Sequence, residues 1–478
     1  MSKAGKLTVI GGGIAGLSAA YYALQEARKH QVDIQISVLD KAGYWGGKII
    51  TERVDGFVVE GGPDTFIITK PWGMQLCREL GLDDRLHGTN PENADTFVLH
   101  EGELEPLPEG LTMMVPSRFM PMIRTDLLSW PDKLRMGLDF LIPPADPHGD
   151  ETLGNFVTRR LGRAAYENLI EPLMSGIYAG DGDELSLLST FPYLRELEQE
   201  HGGLIKGALA VRRKRAEVRR QRSNNGRSSG IFRTSTTGLA EITEALVVAL
   251  KKGGVQLMTG MKVNSLTRER SHYQLNVEGG IELKTDGVIL ATPAFITGDI
   301  VEEEDPDLAQ TLQDIPYVST ATVSLAYPEQ SLPGPLNGRG YVIPREEDRE
   351  ALACTWTSSK FPHRAPDDHA LLRVFIGRAG QEEDISWTEG YLLDVARREV
   401  ASTLSINIEP VLSRVYVWEN AMPQYNLGHQ KRLEDINQAL QSFSGLALAG
   451  NGYRGIGIPD CIHSGQQAAR QVIEELCL

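Results

Sequence analysis

The chain opens on a short apolar run, Leu7-Thr8-Val9-Ile10, that passes directly into glycines at 11, 13 and 16. Behind them, Ile14, Leu17, Tyr21 and Leu24 fall at the spacing of one buried helical face. A second run, Ile34-Gln35-Ile36-Ser37-Val38-Leu39, ends on Asp40. The alternation predicts strand, helix, strand, the βαβ unit of a doubly wound sheet. Val288-Ile289-Leu290 reads as a further buried parallel strand, and Leu446-Ala447-Leu448 as a strand that ends in a tight turn. A helix from Asp460 follows, with apolar positions at Ile462, Ala469, Val472, Ile473 and Leu476. From about 71 to 210 the pattern is helical, and Leu239, Ile242, Leu246 and Leu250 mark one more amphipathic helix. Over 318–378 it switches to period two, which predicts an open antiparallel sheet. The fold class expected is α/β, α+β overall.

The glycine spacing gives the first segment its chemistry. Gly11 turns the chain out of the strand, Gly13 removes a Cβ so that a pyrophosphate can approach, and Gly16 lets helix and strand pack closely. The helix start then offers free N–H groups to an anion. Asp40 stands 24 residues beyond Gly16, where an acid accepts hydrogen bonds from ribose hydroxyls. A second glycine pair, Gly46-Gly47, comes soon after, and a dinucleotide with more surface than NAD to hold accounts for it.

With 478 residues, the chain is long enough for two or three domains. Its net charge of −16 argues against a general nucleic-acid binder. The charge is also segregated: residues 211–222 hold seven cations and one anion, leaving −22 on the rest. This basic stretch reads as a solvated arm or as a patch for an acidic partner, an anionic porphyrin or anionic lipid. The stretch 223–226 reads as a flexible link. Four widely spaced cysteines form neither a metal motif nor a disulfide framework, which suits a reducing cytoplasm. The first strand begins too early for a signal peptide, and no apolar run is long enough to span a bilayer. Residues 111–144, rich in Met, Pro and bulky apolar side chains, suit a cavity wall, a shallow membrane-facing surface or ordinary interior packing. No Ser/His/Asp cluster, metal spacing or paired-carboxylate motif stands out, so no catalytic residue and no metal ligand are named.

The glycine motif, the acid and Lys41-Ala42-Gly43-Tyr44-Trp45-Gly46-Gly47-Lys48 together resemble the flavoprotein superfamily of amine oxidases, phytoene desaturases and protoporphyrinogen oxidases. The superfamily carries Arg-x-Gly-Gly-Arg at this point; here Tyr44 and Lys48 stand at the two basic positions, so only the second charge is kept. Glu171-Pro172-Leu173-Met174-Ser175-Gly176-Ile177-Tyr178-Ala179-Gly180-Asp181 resembles a signature of the bacterial, Gram-positive-type protoporphyrinogen/coproporphyrinogen III oxidases, beside their substrate pocket. The resemblance runs over 5–475 and implies FAD.

It further implies that FAD is held by Gly11, Gly12, Gly13, Ile14, Ala15, Gly16, Asp40, Lys41, Gly47 and Lys48. To these it adds the turn Gly62, Pro63, Asp64 and Thr65, then Val263 at the adenine and Trp418 beside the cofactor. The final loop contributes Gly450, Asn451, Ile456, Gly457 and Ile458, with Asn451 where many flavoproteins have an acid. The implied domains are a Rossmann-type FAD-binding domain (1–69, 231–297 and 416–478), a substrate domain (70–100 and 298–415) and a helical subdomain (101–230). Lys70 is expected either to meet a substrate carboxylate or to be a solvated loop lysine, and Gly176 to contact substrate through its backbone. Arg339, Arg345 and Arg373 are unranked candidates for propionates. The implied activity is oxygen-dependent oxidation of coproporphyrinogen III, and of protoporphyrinogen IX, in haem biosynthesis, with release of peroxide. The implied setting is the cytoplasm, with a transient coproporphyrin ferrochelatase partner and a peripheral membrane contact left open. An FAD amine oxidase or desaturase of the same fold, or a non-catalytic flavin- or porphyrin-binding protein, are the competing readings.

Overall fold

The structure is a computed structural model that describes residues 5–112, 114–146, 149–221, 230–270 and 272–477. The chain divides into two units, one of Met1–Gly88, Ile231–Pro316 and His429–Leu478, the other of Thr89–Gly230 and Tyr317–Gly428. Residues 70–88 and 298–316, grouped with the substrate domain on sequence, therefore stand in the first unit, and 416–428 in the second. The helical stretch 101–230 shares its unit with the large sheet and is not a third body.

The first unit is built on a five-stranded parallel sheet. Its strands are β1 (Gly5–Ile10), β2 (Ile34–Asp40), β3 (Gln256–Thr259), β4 (Gly287–Leu290) and β5 (Leu446–Leu448), in the order β3-β2-β1-β4-β5. All four residues of β4 are buried, as expected for a central strand covered on both faces. Helix α1 (Ile14–His30) follows β1, and α2 (Ile458–Leu476) follows β5. The two helices pack so closely that a Cβ on Gly465 would lie 2.3 Å from the Ala15 carbonyl oxygen. Leu17, Ala19, Ala469 and Val472, all fully buried, belong to the core these helices share.

The second unit carries a seven-stranded sheet. Its order is 412–423, 317–328, 369–376, 351–356, 340–342, 97–100 and 103–106, antiparallel except where 340–342 meets 97–100. The period-two pattern over 318–378 forms its centre. Phe97–His100 and Glu103–Pro106 lie inside the stretch the sequence reads as helical. Each is only four residues long, too short for a period to register, and pairing with the sheet decides its conformation. The basic stretch continues the helix Leu204–Gln221, while 223–226 and Met113 lie outside the described residues. The Met-rich stretch divides: Met122, Leu127, Leu128 and Met136 are buried, and Phe119, Met120, Trp130 and Leu134 are exposed. Among the described residues no helix is long and apolar enough to cross a membrane. Cys77, Cys354, Cys461 and Cys477 are all free thiols.

Candidate cofactor site

The carboxyl edge of the parallel sheet gathers the glycine turns. Gly11 ends β1 with its N–H on the Leu39 carbonyl at 2.8 Å, which ties the turn to β2. The first intrahelical bond of α1 runs from Leu17 N–H to Gly13 O, so the amides of the first turn are spare. No side chain caps this helix and no acid lies in its first turn. Space is reserved in front of it: a Cβ on Gly13 would meet only Gly47 Cα, at 3.9 Å. A Cβ on Gly16, by contrast, would overlap the Gly11 carbonyl at 1.8 Å. The loop thus has open room at Gly13 and backbone contact at Gly16.

The second glycine pair seats on the first loop. Gly46 N–H donates to Gly12 O at 2.9 Å, and a Cβ on Gly47 would come within 3.0 Å of Gly13 Cα. Gly62 in turn lies against the Lys48 carbonyl, with Pro63, Asp64 and Thr65 continuing the loop beyond it. Three loops from separate parts of the sequence are thus stacked on one another. Asp40 also organises this edge, its two carboxylate oxygens accepting from the backbone N–H groups of Gly12 and of Ala42. Each oxygen keeps acceptor capacity for a ribose hydroxyl. Met261 N–H reaches the Asp40 carbonyl at 2.8 Å, which brings the strand containing Val263 to the same edge; Lys41 is exposed beside it. Burial brings the Lys48 ammonium down to about 8, with the Cys461 thiol as its neighbour.

The last segment supplies the far end. Gly450 has φ +124°, and a Cβ there would find only Thr292 O, at 4.0 Å; Asn451 opens the turn that follows. Gly457 caps α2 without a side-chain bond, and Ile456 and Ile458 flank it. Gly465, the eighth residue of α2, lies against Ala15 and Ala19 of α1. The C-terminal residues Val472 and Leu476 lie at Gly287, where β4 begins, so both helices run away from the carboxyl edge. At 1.5 Å per residue, the start of α2 projects roughly 6 Å past that of α1. The edge therefore presents, in order, the Asp40 carboxylate, a helix start with spare amides and a second helix start further out. An elongated dinucleotide fits this arrangement.

Trp418 is in the second unit, paired with Thr320 across strands. Gly176 sits in the helix Glu171–Tyr178, its Cα facing Val342 with open space for a Cβ. Of the three arginines, Arg373 is 2% exposed, Arg339 donates to Thr89 Oγ1, and Arg345 donates to the carbonyls of Ala379 and Gly180. Lys70 is bound to a carboxylate of the chain itself, with Nζ 2.6 and 2.7 Å from the Asp460 oxygens. Asp460 was not singled out on sequence. The signal available was an acid in the first turn of a helix preceded by Gly-x-Gly.

A dinucleotide edge of this kind suits a flavin-dependent oxidoreductase, and the chain is one by family. The sequence profile of the flavin containing amine oxidoreductases matches residues 14–473, and the chain belongs to that family. It is 36% identical to the coproporphyrinogen III oxidase of Bacillus subtilis over 471 residues, 98% of each protein. It is 32% identical to the Staphylococcus aureus protein of the same name, covering 98% of this chain and 99% of that one. Against the rice chloroplastic protoporphyrinogen oxidase it is 33% identical, covering 98% and 88%. A crystal structure from Exiguobacterium sp. 255-15, of a candidate protoporphyrinogen oxidase, superposes with TM-score 0.85 at 32% identity over 99% of both chains.

Proposed function

We propose that the protein oxidises coproporphyrinogen III to coproporphyrin III, and protoporphyrinogen IX to protoporphyrin IX, with FAD as cofactor and oxygen as final acceptor. The observation that carries the reading is similarity over 98% of the chain to relatives named for this reaction in two bacterial species. When bound, FAD supplies the redox chemistry, taking electrons from the porphyrinogen in pairs and passing them to oxygen as peroxide. The chain's own work is to hold and orient. The spare amides at the start of α1 meet the pyrophosphate, Asp40 the ribose, and Gly450 with Asn451 the ribityl chain. Gly176 offers backbone to the substrate without a side chain in the way. Porphyrinogen carbons are electron-rich, so hydride loss depends on orientation more than on a positioned acid or base.

The same reading includes a peripheral contact with an anionic surface. Seven large apolar side chains are exposed between Phe119 and Leu141. The basic helix Leu204–Gln221 lies beside them, with Lys206 Nζ on the Phe140 carbonyl and Arg212 on that of Ser117. Apolar side chains bordered by cations suit the headgroup region of anionic lipid. A transient ferrochelatase partner and a cytoplasmic setting complete the proposal.

The test is anaerobic mixing of the flavin-loaded protein with each porphyrinogen while the flavin absorbance is followed. Rapid bleaching by coproporphyrinogen III is expected. Bleaching by amines alone would assign the protein to the amine-oxidising branch, and slow bleaching by every donor would make it a binding protein.

A further inference from the structure

The first turn of α2 holds a single acid, Asp460, and its carboxylate folds back over the loop that leads into its own helix. A Cβ on Gly455 would lie 2.5 Å from Asp460 Cγ, and one on Gly457 would lie 3.0 Å from Oδ2. The side chain is only 11% exposed, and the Lys70 ammonium bonds both of its oxygens. One turn further along α2, the His463 ring stacks on Trp72 with centroids 3.8 Å apart and planes 10° from parallel. Two contacts thus hold residues 70–72 against the opening turns of α2. Lys48 lies beside Cys461, the next residue of α2.

A helix start carries about half a positive charge, which favours negative charge placed before it. An acid in the first turn offsets that field, and one withdrawn from water offsets it more strongly because solvent screens it less. A bidentate lysine cancels the acid. The pair leaves the helix end positive; the acid alone would leave it neutral or negative.

We propose that the Lys70–Asp460 ion pair sets the reduction potential of the bound flavin, Lys70 acting as a positioning residue that silences Asp460 so that the start of α2 favours the anionic reduced cofactor. The inference rests on the flavin site described above. It gives Lys70 a task distinct from meeting a substrate carboxylate.

The experiment is a substrate-free redox titration of the flavin-loaded protein, in which carboxylate binding by Lys70 plays no part. In Lys70→Met, the preference for reduced flavin should fall about tenfold, about 30 mV more negative for a two-electron couple. Lys70→Arg should keep the native potential. In an Asp460→Asn background, Lys70→Met should shift nothing, because no acid remains to be silenced. An unchanged potential in Lys70→Met, or an equal drop in both backgrounds, overturns the proposal while leaving the flavin site intact. Native protein that binds no FAD overturns both.

Discussion

Gly13 and Gly16 are three residues apart and fail in opposite ways when a side chain is added. Gly13→Ala has room within the protein, so unfolding free energy should change by no more than about 0.5 kcal/mol while FAD affinity falls at least tenfold. Gly16→Ala drives a methyl into the Gly11 carbonyl and should cost about 1–3 kcal/mol before any cofactor is added. Urea melts of the apoproteins beside FAD titrations separate the two. His429, 1% exposed, donates from Nε2 to the Tyr453 carbonyl at 2.8 Å, and burial lowers its pKa to about 4. The unfolded chain therefore takes up a proton first as pH falls below about 6.5, while the folded one stays neutral. Stability should be fully present above pH 6.5 and decline towards pH 4, by about 2 kcal/mol at pH 5. His429→Gln should flatten that stretch of the curve, and chemical denaturation at a series of pH values checks it. The glycines were legible because their spacing is local. His429 was not, since nothing in the residues around it announces its burial.

At the scale of elements, the helical part of the second unit is tied together by ions. Glu198, fully buried, bonds Arg159 at 2.8 Å and Arg195 at 2.7 Å and lies 3.4 Å from Arg160. Arg160 also meets Asp139, whose oxygens accept from the N–H groups of Leu204 and Ile205 at the start of the basic helix. Four separate stretches meet in this network. Glu198→Ala leaves buried cations without their shared partner and should cost about 3–5 kcal/mol, whereas Glu196→Ala, outside the network, should be nearly neutral. Thermal melts of the two variants test the contrast. The sequence offered no warning, because Glu198 reads as one more acid on a charged helix.

For the whole molecule, charge and apolar surface are unevenly spread. The chain carries −16 overall, yet the exposed apolar side chains of 119–141 stand beside a cationic helix. Vesicles of anionic lipid should sediment the protein, neutral vesicles should not, and moderate salt should release it. Trp130→Ser combined with Leu134→Ser should weaken the binding without altering the flavin spectrum. Recovery of all protein in the supernatant with anionic vesicles would remove the lipid contact.

By itself the sequence determined the nucleotide-binding sheet, the order of its glycines and acid, and the family, because each is written in residues close together or at a set spacing. Tertiary structure alone decided that Gly47 seats on Gly13, that Asp460 takes the ammonium of Lys70, and that Glu198 gathers three arginines. Those partners lie 34, 390 and up to 39 residues apart. Only packing, which withdraws a charge from water and so obliges it to find a counter-charge, selects one partner from the many the chain contains.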